Sequence, residues 1–171
     1  MKVLLRIAGS ILICLILLLL AARVTGFEPK DCPSVASASA LTLACRLPGL
    51  WLRGNVVTAP VTDWSFTDKI QNVKIQTQTP ILLPYSVEAW CVSYHGDFYV
   101  TSYRGRLWVE DILRDPHVRL KLGGQLFDRT FTLVSDTDEK TAVLQAKAKK
   151  YPQWEVPPVS TATIFRVPRG Q

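Results

Sequence analysis

The hydrophobic pattern divides the chain into two unlike parts. Residues 7–22 carry no charged side chain and are almost entirely apolar, with Lys2 and Arg6 before them and Arg23 after them. With residues 3–5, the apolar stretch approaches the roughly 20 residues that span a bilayer as a helix. The rest of the chain instead shows short runs that alternate apolar and polar side chains, separated by turn sequences.

Residues 1–26 have two interpretations. As an uncleaved signal anchor, the segment keeps its basic N-terminus in the cytoplasm and ties a periplasmic domain to the inner membrane by a single span. As a signal peptide, it would be cleaved after Val24-Thr25-Gly26. In either case we expect the globular part to be exported.

The second part of the chain has the periodicity of antiparallel β-structure. It predicts about six strands, some of them paired in hairpins at His-Gly-Asp and Gly-Gly turns, and a shorter strand at 56–58. The main predicted strands lie at 72–77, 86–94, 98–103, 117–122, 125–134 and 160–167.

Two segments have helical periodicity instead. Residues 107–114 place apolar side chains at helical spacing before Asp115-Pro116, and a helix that ends near Lys150 follows Ser135-Asp136-Thr137-Asp138, which resembles a capping box. Hairpins interrupted by single helices predict a small, mainly β (α+β) barrel with two or three short helices. We assign this domain to residues 54–171, preceded by a linker with a short helix at 27–53.

Composition narrows the function classes. The chain has 171 residues, 20 basic against 14 acidic, and a net charge of +6, a size that fits one domain. Without Lys2, Arg6 and Arg23, 17 basic residues remain against 14 acidic ones, a net charge of +3. A charge this small does not indicate nucleic-acid binding.

The expected export also determines the redox state that we predict for the cysteines. In an oxidising compartment we expect a disulfide between Cys32 and Cys45, with two unpaired thiols as the alternative. Cys91 lies within a predicted strand, so we expect it to be a buried free thiol. Neither histidine lies near a cysteine pair at metal-ligand spacing, and no metal site is predicted.

The chain contains no motif of the common hydrolases or nucleotide-binding proteins. It has no Gly-x-Ser-x-Gly elbow, no Walker loop, no Gly-x-Gly-x-x-Gly and no His-Glu-x-x-His. We expect His95 and His117 to be exposed at a turn and a strand start. Glu110 and Asp111 are expected on the solvated side of a short helix rather than in an acid–base pair.

The segment from residue 98 to residue 120 carries the candidate chemistry. A strand delivers Thr101 and Ser102, a short loop offers Arg104 and Arg106, and a helix begins immediately afterwards. Hydroxyls, guanidinium groups and helix N–H groups that converge in this way suit a phosphate. The alternative is an ordinary strand–loop–helix corner with solvated arginines.

This order of elements, with Thr-Ser, Arg-Gly-Arg, a helix and then Asp-Pro-x-Val-x-Leu, resembles the flavin-binding split-barrel proteins over residues 54–150. That superfamily includes pyridoxamine phosphate oxidase-like and deazaflavin-dependent nitroreductase-like proteins. The resemblance implies a split β-barrel, flavin mononucleotide (FMN) or a deazaflavin as cofactor, and a homodimer. It also implies that Thr101, Ser102, Arg104 and Arg106 hold the cofactor phosphate, with Lys74 as a further basic position.

Two functions follow as hypotheses. The first is an exported flavin- or deazaflavin-dependent oxidoreductase, for which the sequence indicates no catalytic residue. The second is a non-enzymatic periplasmic protein that binds a small ligand or acts as an envelope scaffold. We expect Trp108 to contact either the cofactor or the core.

Overall fold

The computed structural model describes residues 2–30 and 47–171 of the chain. Helix α1 covers Lys2–Thr25, and its stretch Val3–Thr25 has the length and composition of a membrane span. The structure thus confirms an N-terminal apolar helix long enough to cross a bilayer, a feature that signal anchors and signal peptides share. Cys32, Cys45 and residues 40–46 of the predicted short helix lie outside the described residues.

Residues 47–171, described after the gap, contain a single curled sheet and two further α-helices. Strand alternation and the two helical segments were predicted from the sequence, and the described elements follow them closely. The elements are β1 (Asn55–Val56), a 3-10 helix (Ser65–Lys69), β2 (Asn72–Gln78), β3 (Pro84–Tyr94), β4 (Asp97–Tyr103), α2 (Leu107–Arg114), β5 (His117–Leu122), β6 (Gln125–Thr130), β7 (Thr132–Leu133), α3 (Thr137–Lys150) and β8 (Ala162–Val167).

The sheet has the strand order β1-β6-β5-β2-β3-β4-β8-β7, and β1 and β7 form its two edges. Only the β1–β6 pair is parallel among these strands. Strand β3 joins the two halves, because residues 84–90 pair with β2 and residues 91–94 pair with β4. The pairing partner of β3 changes between Trp90 and Cys91, a position called the β3 bend below. The sheet is curled and stays open at its edges, which confirms the split-barrel prediction.

Among the described residues the strands number eight rather than about six. Strand β1 overlaps the short strand predicted at 56–58, whereas β7 was not predicted separately because it lies within the predicted strand 125–134. The predicted strand 125–134 is interrupted at Phe131, whose amide donates to the Pro116 carbonyl while its ring packs on Phe165. The chain thereby leaves β5 and crosses to β8, where β7 pairs with Phe165 and Arg166.

Two apolar clusters fill the barrel and its flank. The larger one centres on Trp64, which is fully buried and lies 5.4 Å from the Phe98 ring and 5.5 Å from the Phe127 ring. The second forms where Val143 and Leu144 of α3 pack against residues of β3, β4 and β8. Helix α3 therefore packs on β3 and on β4, the strand that carries Thr101 and Ser102.

Local signals fix the ends of α3. Asp136 is the N-cap residue, and its carboxylate accepts a hydrogen bond of 2.7 Å from the Glu139 amide. The side-chain cap therefore lies at Asp136, one residue after the Ser135 of the predicted capping box. The last turn is basic, and the Tyr151 amide still donates to the Lys147 carbonyl.

The chain that follows α1 binds the barrel directly. The Leu50 amide donates to the Phe27 carbonyl at 2.5 Å. Glu28 forms ion pairs with Lys121 at 2.6 Å and with Lys74 at 3.5 Å. Burial raises the pKa of Glu28, but the hydrogen bonds and charges around it outweigh burial and hold that pKa below 4.5. These contacts tie the end of α1 to β2 and β5.

Candidate functional site

A cavity of about 410 Å³ opens beside the bend in β3. Its walls come from the start of β2, the middle of β3, the end of β4, the start of α2, and the end of α3 with the loop that follows. The lining residues used below are Glu88, Trp90, Thr101, Ser102, Tyr103, Arg106, Trp108, Lys147, Tyr151 and Trp154. This volume lies within the range of small-molecule sites, about 300–1,000 Å³.

Three of the five residues predicted to bind a cofactor meet in this cavity. Thr101 and Ser102 lie near the end of β4, where they pair with Ile164 and Thr163 of β8. Arg106 is the N-cap residue of α2 and its side chain is exposed at the cavity. Thr101, Ser102 and Arg106 therefore line one cavity, although they were predicted only from a short stretch of sequence.

Arg104 does not line the cavity. It forms an exposed ion pair with Glu110 at 4.0 Å, and the Gly105 amide donates to the same carboxylate at 3.0 Å. The Glu110 side chain thus binds the loop in front of α2, where the sequence suggested that an external anion would contact the loop and the helix amides. Of the two arginines in this loop, Arg106 is therefore the one that lines the cavity.

Lys74 also lies outside the cavity lining. It occupies the middle of β2, opposite Glu88 of β3 and Lys121 of β5. Its ammonium group pairs with Glu28, which lies three residues after the end of α1. The structure therefore gives Lys74 a place in the contact between the N-terminal segment and the sheet.

The sequence analysis missed Lys147, which lies at the buried end of the cavity. Its side chain is only 4% exposed, and its Nζ atom donates to Thr101 Oγ1. Nζ also lies 4.2 Å from the centre of the Trp154 ring and 5.7 Å from that of Trp90. Burial lowers the pKa of Lys147 to about 8. At pH 7 Lys147 is therefore still a cation, and its ammonium group has little contact with water.

Aromatic rings form the wall next to Lys147. Trp90 and Tyr151 stack with ring centres 4.6 Å apart and planes 3° apart. The Tyr151 hydroxyl lies 2.8 Å from the Cys91 carbonyl oxygen and close to the Gln71 carbonyl oxygen, and its single proton is shared between these two acceptors. Burial raises the pKa of Tyr151, so its hydroxyl stays a donor at neutral pH. The parallel rings of Trp90 and Tyr151 therefore form one aromatic wall of the cavity.

Lys150 binds the end of α3 to the 3-10 helix and to β3, behind this wall. Its Nζ atom donates to the carbonyls of Thr67, Ile70 and Cys91 at 2.8, 2.7 and 2.9 Å. Cys91 itself is a buried free thiol, as predicted, and burial raises its pKa to about 11.

Trp108 joins the core to the cavity. It is 8% exposed, packs against Phe165 at 6.2 Å and also lines the cavity. The two alternatives considered for Trp108, core or cofactor contact, are therefore not exclusive. Tyr103 also lines the cavity and is 42% exposed.

The expectation that Asp111 is solvated was wrong. Asp111 is 1% exposed, and its carboxylate accepts hydrogen bonds of 3.1 Å from Thr77 Oγ1 and from Arg114. It faces β2 because α2 presents residues 108, 109, 111 and 112 to the barrel. The residue is outside the cavity lining and connects α2 to the sheet.

The charges around the cavity favour a ligand with acceptor atoms. Arg106 and Lys147 supply two cations, and Glu88 supplies one carboxylate, which accepts a hydrogen bond of 2.7 Å from Asn72. Within residues 2–30 and 47–171, no group of three or more His, Cys, Asp or Glu side chains is placed to hold a metal ion. The described site is thus suited to an organic, planar and anionic ligand.

Comparison with known proteins gives similarity at the level of structure. No protein-family model and no curated protein matches the chain. The structure is similar to a candidate 5-nitroimidazole antibiotic resistance protein from Bacteroides thetaiotaomicron, with a TM-score of 0.51 and 17% identity over 63% of this chain and 77% of that one.

Two further solved structures show the same similarity. A candidate pyridoxamine 5'-phosphate oxidase from Listeria innocua has a TM-score of 0.51 and 14% identity, over 61% of this chain and 87% of that chain. A conserved hypothetical protein from Mycobacterium tuberculosis has a TM-score of 0.54 and 14% identity, over 68% of this chain and 86% of that chain. These similarities show a shared fold and confirm the split-barrel resemblance stated from the sequence.

Proposed function

We propose that this protein is a membrane-tethered, exported oxidoreductase that binds FMN or a deazaflavin in the cavity beside the β3 bend. The observation that carries the proposal is the meeting of Arg106 and two hydroxyls with a buried cation and flat aromatic walls in one cavity of about 410 Å³. Each part matches one part of such a cofactor.

Arg106 would bind the phosphate of the cofactor. A guanidinium group matches the geometry of phosphate oxygens, and Thr101 and Ser102 add hydroxyl groups at the same strand end. Arg104 is held by Glu110, so the proposal assigns the contact to Arg106 alone.

The aromatic wall would bind the ring system. Trp90 and Tyr151 are already stacked on each other, and Trp154 covers the Lys147 ammonium. Rings held in this way can pack on a planar ligand at little entropic cost, since few side-chain torsions need to be fixed on binding.

The residues present fit the proposed cofactor. The cavity is large enough for a small organic molecule, is rich in aromatic side chains and has more cations than carboxylates. When bound, the flavin supplies the hydride and electron transfer. The chain's own residues bind the phosphate, orient the ring and keep the buried end of the cavity dry.

The proposal includes two features of the whole molecule. Helix α1 would hold the domain at the periplasmic face of the inner membrane, supported by its length and apolar composition. The protein would form a homodimer, as the resemblance to split-barrel proteins implies. Light scattering of the full chain in detergent measures the second feature.

A titration of the full chain in detergent with FMN and riboflavin tests the cofactor assignment. We expect FMN to bind more tightly than riboflavin, because only FMN carries the phosphate. In Arg106→Gln this preference should fall by about tenfold or more, the effect of one charge-assisted contact. Arg104→Gln is the matched control and should keep it.

Two results would refute the proposal. If the wild-type chain binds neither FMN, riboflavin nor a deazaflavin, the cavity does not hold this cofactor class, and the non-enzymatic ligand-binding function takes its place. If Arg104→Gln loses the FMN preference and Arg106→Gln keeps it, the phosphate contact is assigned to the wrong arginine.

A further inference from the structure

We propose that Lys147 is a specificity-determining residue that selects ligands whose ring system carries a negative charge or a strong acceptor at the buried end of the cavity. This inference deepens the proposed function and rests on the same cavity. It adds a second contact, remote from the phosphate, and predicts which ring chemistry the site prefers.

The position of the ammonium group supports this role. Lys147 extends from α3 to the end of β4, where Nζ donates to Thr101 Oγ1. An ammonium group has three donors, and Thr101 is its only hydrogen-bond partner among the described residues. The ring faces of Trp154 and Trp90 lie at 4.2 and 5.7 Å. Donor capacity is therefore left for a ligand in the cavity.

Among the described residues, no carboxylate forms an ion pair with Lys147. In the part of the chain that the structure describes, none of the ion pairs involves Lys147. The cavity carboxylate Glu88 accepts from Asn72, and the neighbouring Cys91 is a neutral thiol at pH 7 since its pKa is about 11. Lys150 uses its donors on three backbone carbonyls.

The two cations of the cavity therefore differ in how strongly their charge acts on a ligand. Arg106 is exposed, so water screens its charge. Lys147 is 4% exposed, and at low local dielectric its charge acts more strongly on a ligand atom in contact with it. A ligand that places an anionic or carbonyl edge against Lys147 gains this interaction, and a ligand with an apolar edge leaves the cation unsatisfied.

A pair of matched dyes tests the charge selectivity without relying on flavin. The anionic dye 1-anilinonaphthalene-8-sulfonate and its uncharged analogue N-phenyl-1-naphthylamine differ only by the sulfonate. In the full chain in detergent, we expect the anionic dye to bind more tightly. Lys147→Met should reduce its affinity by about tenfold and leave the uncharged dye unchanged or tighter. Lys149→Met, an exposed lysine on the same helix, is the control.

A pH titration of the wild-type chain keeps the test independent of the variant's folding. Because the pKa of Lys147 is about 8, affinity for the anionic dye should fall as the pH rises from 7 to 10. The uncharged dye should not respond. Tyr151 and Cys91 lie nearby, but burial raises the pKa of both, and of Cys91 to about 11, so they gain charge later. The inference is overturned if both dyes respond alike, or if the anionic dye is insensitive to pH and to Lys147→Met.

The dye and flavin experiments can fail separately. If the dyes show charge selectivity through Lys147 but FMN does not bind, the selectivity stands and the flavin assignment falls. If FMN binds through Arg106 while Lys147→Met changes neither dye nor flavin affinity, the flavin assignment stands and Lys147 is a structural residue.

Discussion

Replacing Lys150 by methionine should destabilise the domain, because this ammonium group holds the end of α3 to the backbone beneath the cavity wall. Nζ donates three hydrogen bonds of 2.7–2.9 Å to the carbonyls of Thr67, Ile70 and Cys91. Methionine keeps a side chain of similar length and removes all three donors. The substitution therefore tests the hydrogen bonds with little change in packing.

The expected magnitude follows from what each carbonyl loses. Hydrogen bonds to charged groups contribute about 1.5–3 kcal/mol each, and such contributions are not additive. The Thr67 carbonyl keeps the Ile70 amide, and the Cys91 carbonyl keeps the Tyr151 hydroxyl. Only the Ile70 carbonyl loses its one strong donor. Since Lys150 is also half-buried rather than fully buried, we expect a loss of about 2–3 kcal/mol.

Thermal unfolding of the full chain in detergent, followed by tryptophan fluorescence, measures this effect. A loss of 2–3 kcal/mol should lower Tm by about 4–12 °C at this chain length. Lys149→Met, one position earlier and exposed, should change the free energy of unfolding by about 0.5 kcal/mol or less. Equal Tm values for the two variants would show that the three hydrogen bonds add nothing net, and the role assigned to Lys150 would be withdrawn.

Three smaller predictions concern the segments around the barrel. Asp136→Ala should cost about 1 kcal/mol of unfolding free energy by removing the N-cap of α3, and Asp136→Asn should restore most of it in the same urea titration. Burial raises the pKa of Glu28, but the Lys121 hydrogen bond and nearby charges outweigh it, so the folded pKa lies below the ordinary value. The stabilising contribution of Glu28 is therefore present above the unfolded pKa and is lost as the pH falls through the folded pKa. Protection of the Leu50 amide from hydrogen exchange should drop over the same acidic range in wild type, and a Glu28→Gln variant that keeps this acid dependence contradicts the assignment. Gly49→Ala would place Cβ 2.5 Å from Ser86 Oγ and closer still to a backbone carbonyl, so the same protection should be lost at every pH, and unchanged exchange would show that the contact is dispensable.

The sequence predicted most of the fold because its signals are local. Strict alternation marks β2, and the helical spacing of α2 ends at Asp115-Pro116. The Asp136 cap marks the start of α3. The strand interruption at Phe131 was missed, because nothing in residues 125–134 indicates that the chain changes its pairing partner from β5 to β8.

For the candidate site, Thr101, Ser102 and Arg106 were predicted from the sequence, but Lys147, which donates to Thr101, was not. The first three are close together in the chain, so one strand–loop–helix motif reveals them. Lys147 is 46 residues from Thr101, and in the sequence it is one of three lysines in the last turn of α3. The spacing of α3 also placed Lys147 beside Val143 and Leu144, and that buried face was the one signal that could have identified it.

The sequence by itself therefore determined the features that depend on neighbouring residues. These are the apolar helix, the strand alternation, the turns and caps, and a loop with two arginines next to Thr101 and Ser102. Only the tertiary structure decided which charges remain available to a ligand. Glu110 binds the loop at Arg104, Glu28 pairs with Lys74, and Lys147 is carried into the cavity without a carboxylate. The physical reason is that pairing and burial of a charge depend on contacts between residues far apart in the chain, which local pattern does not encode.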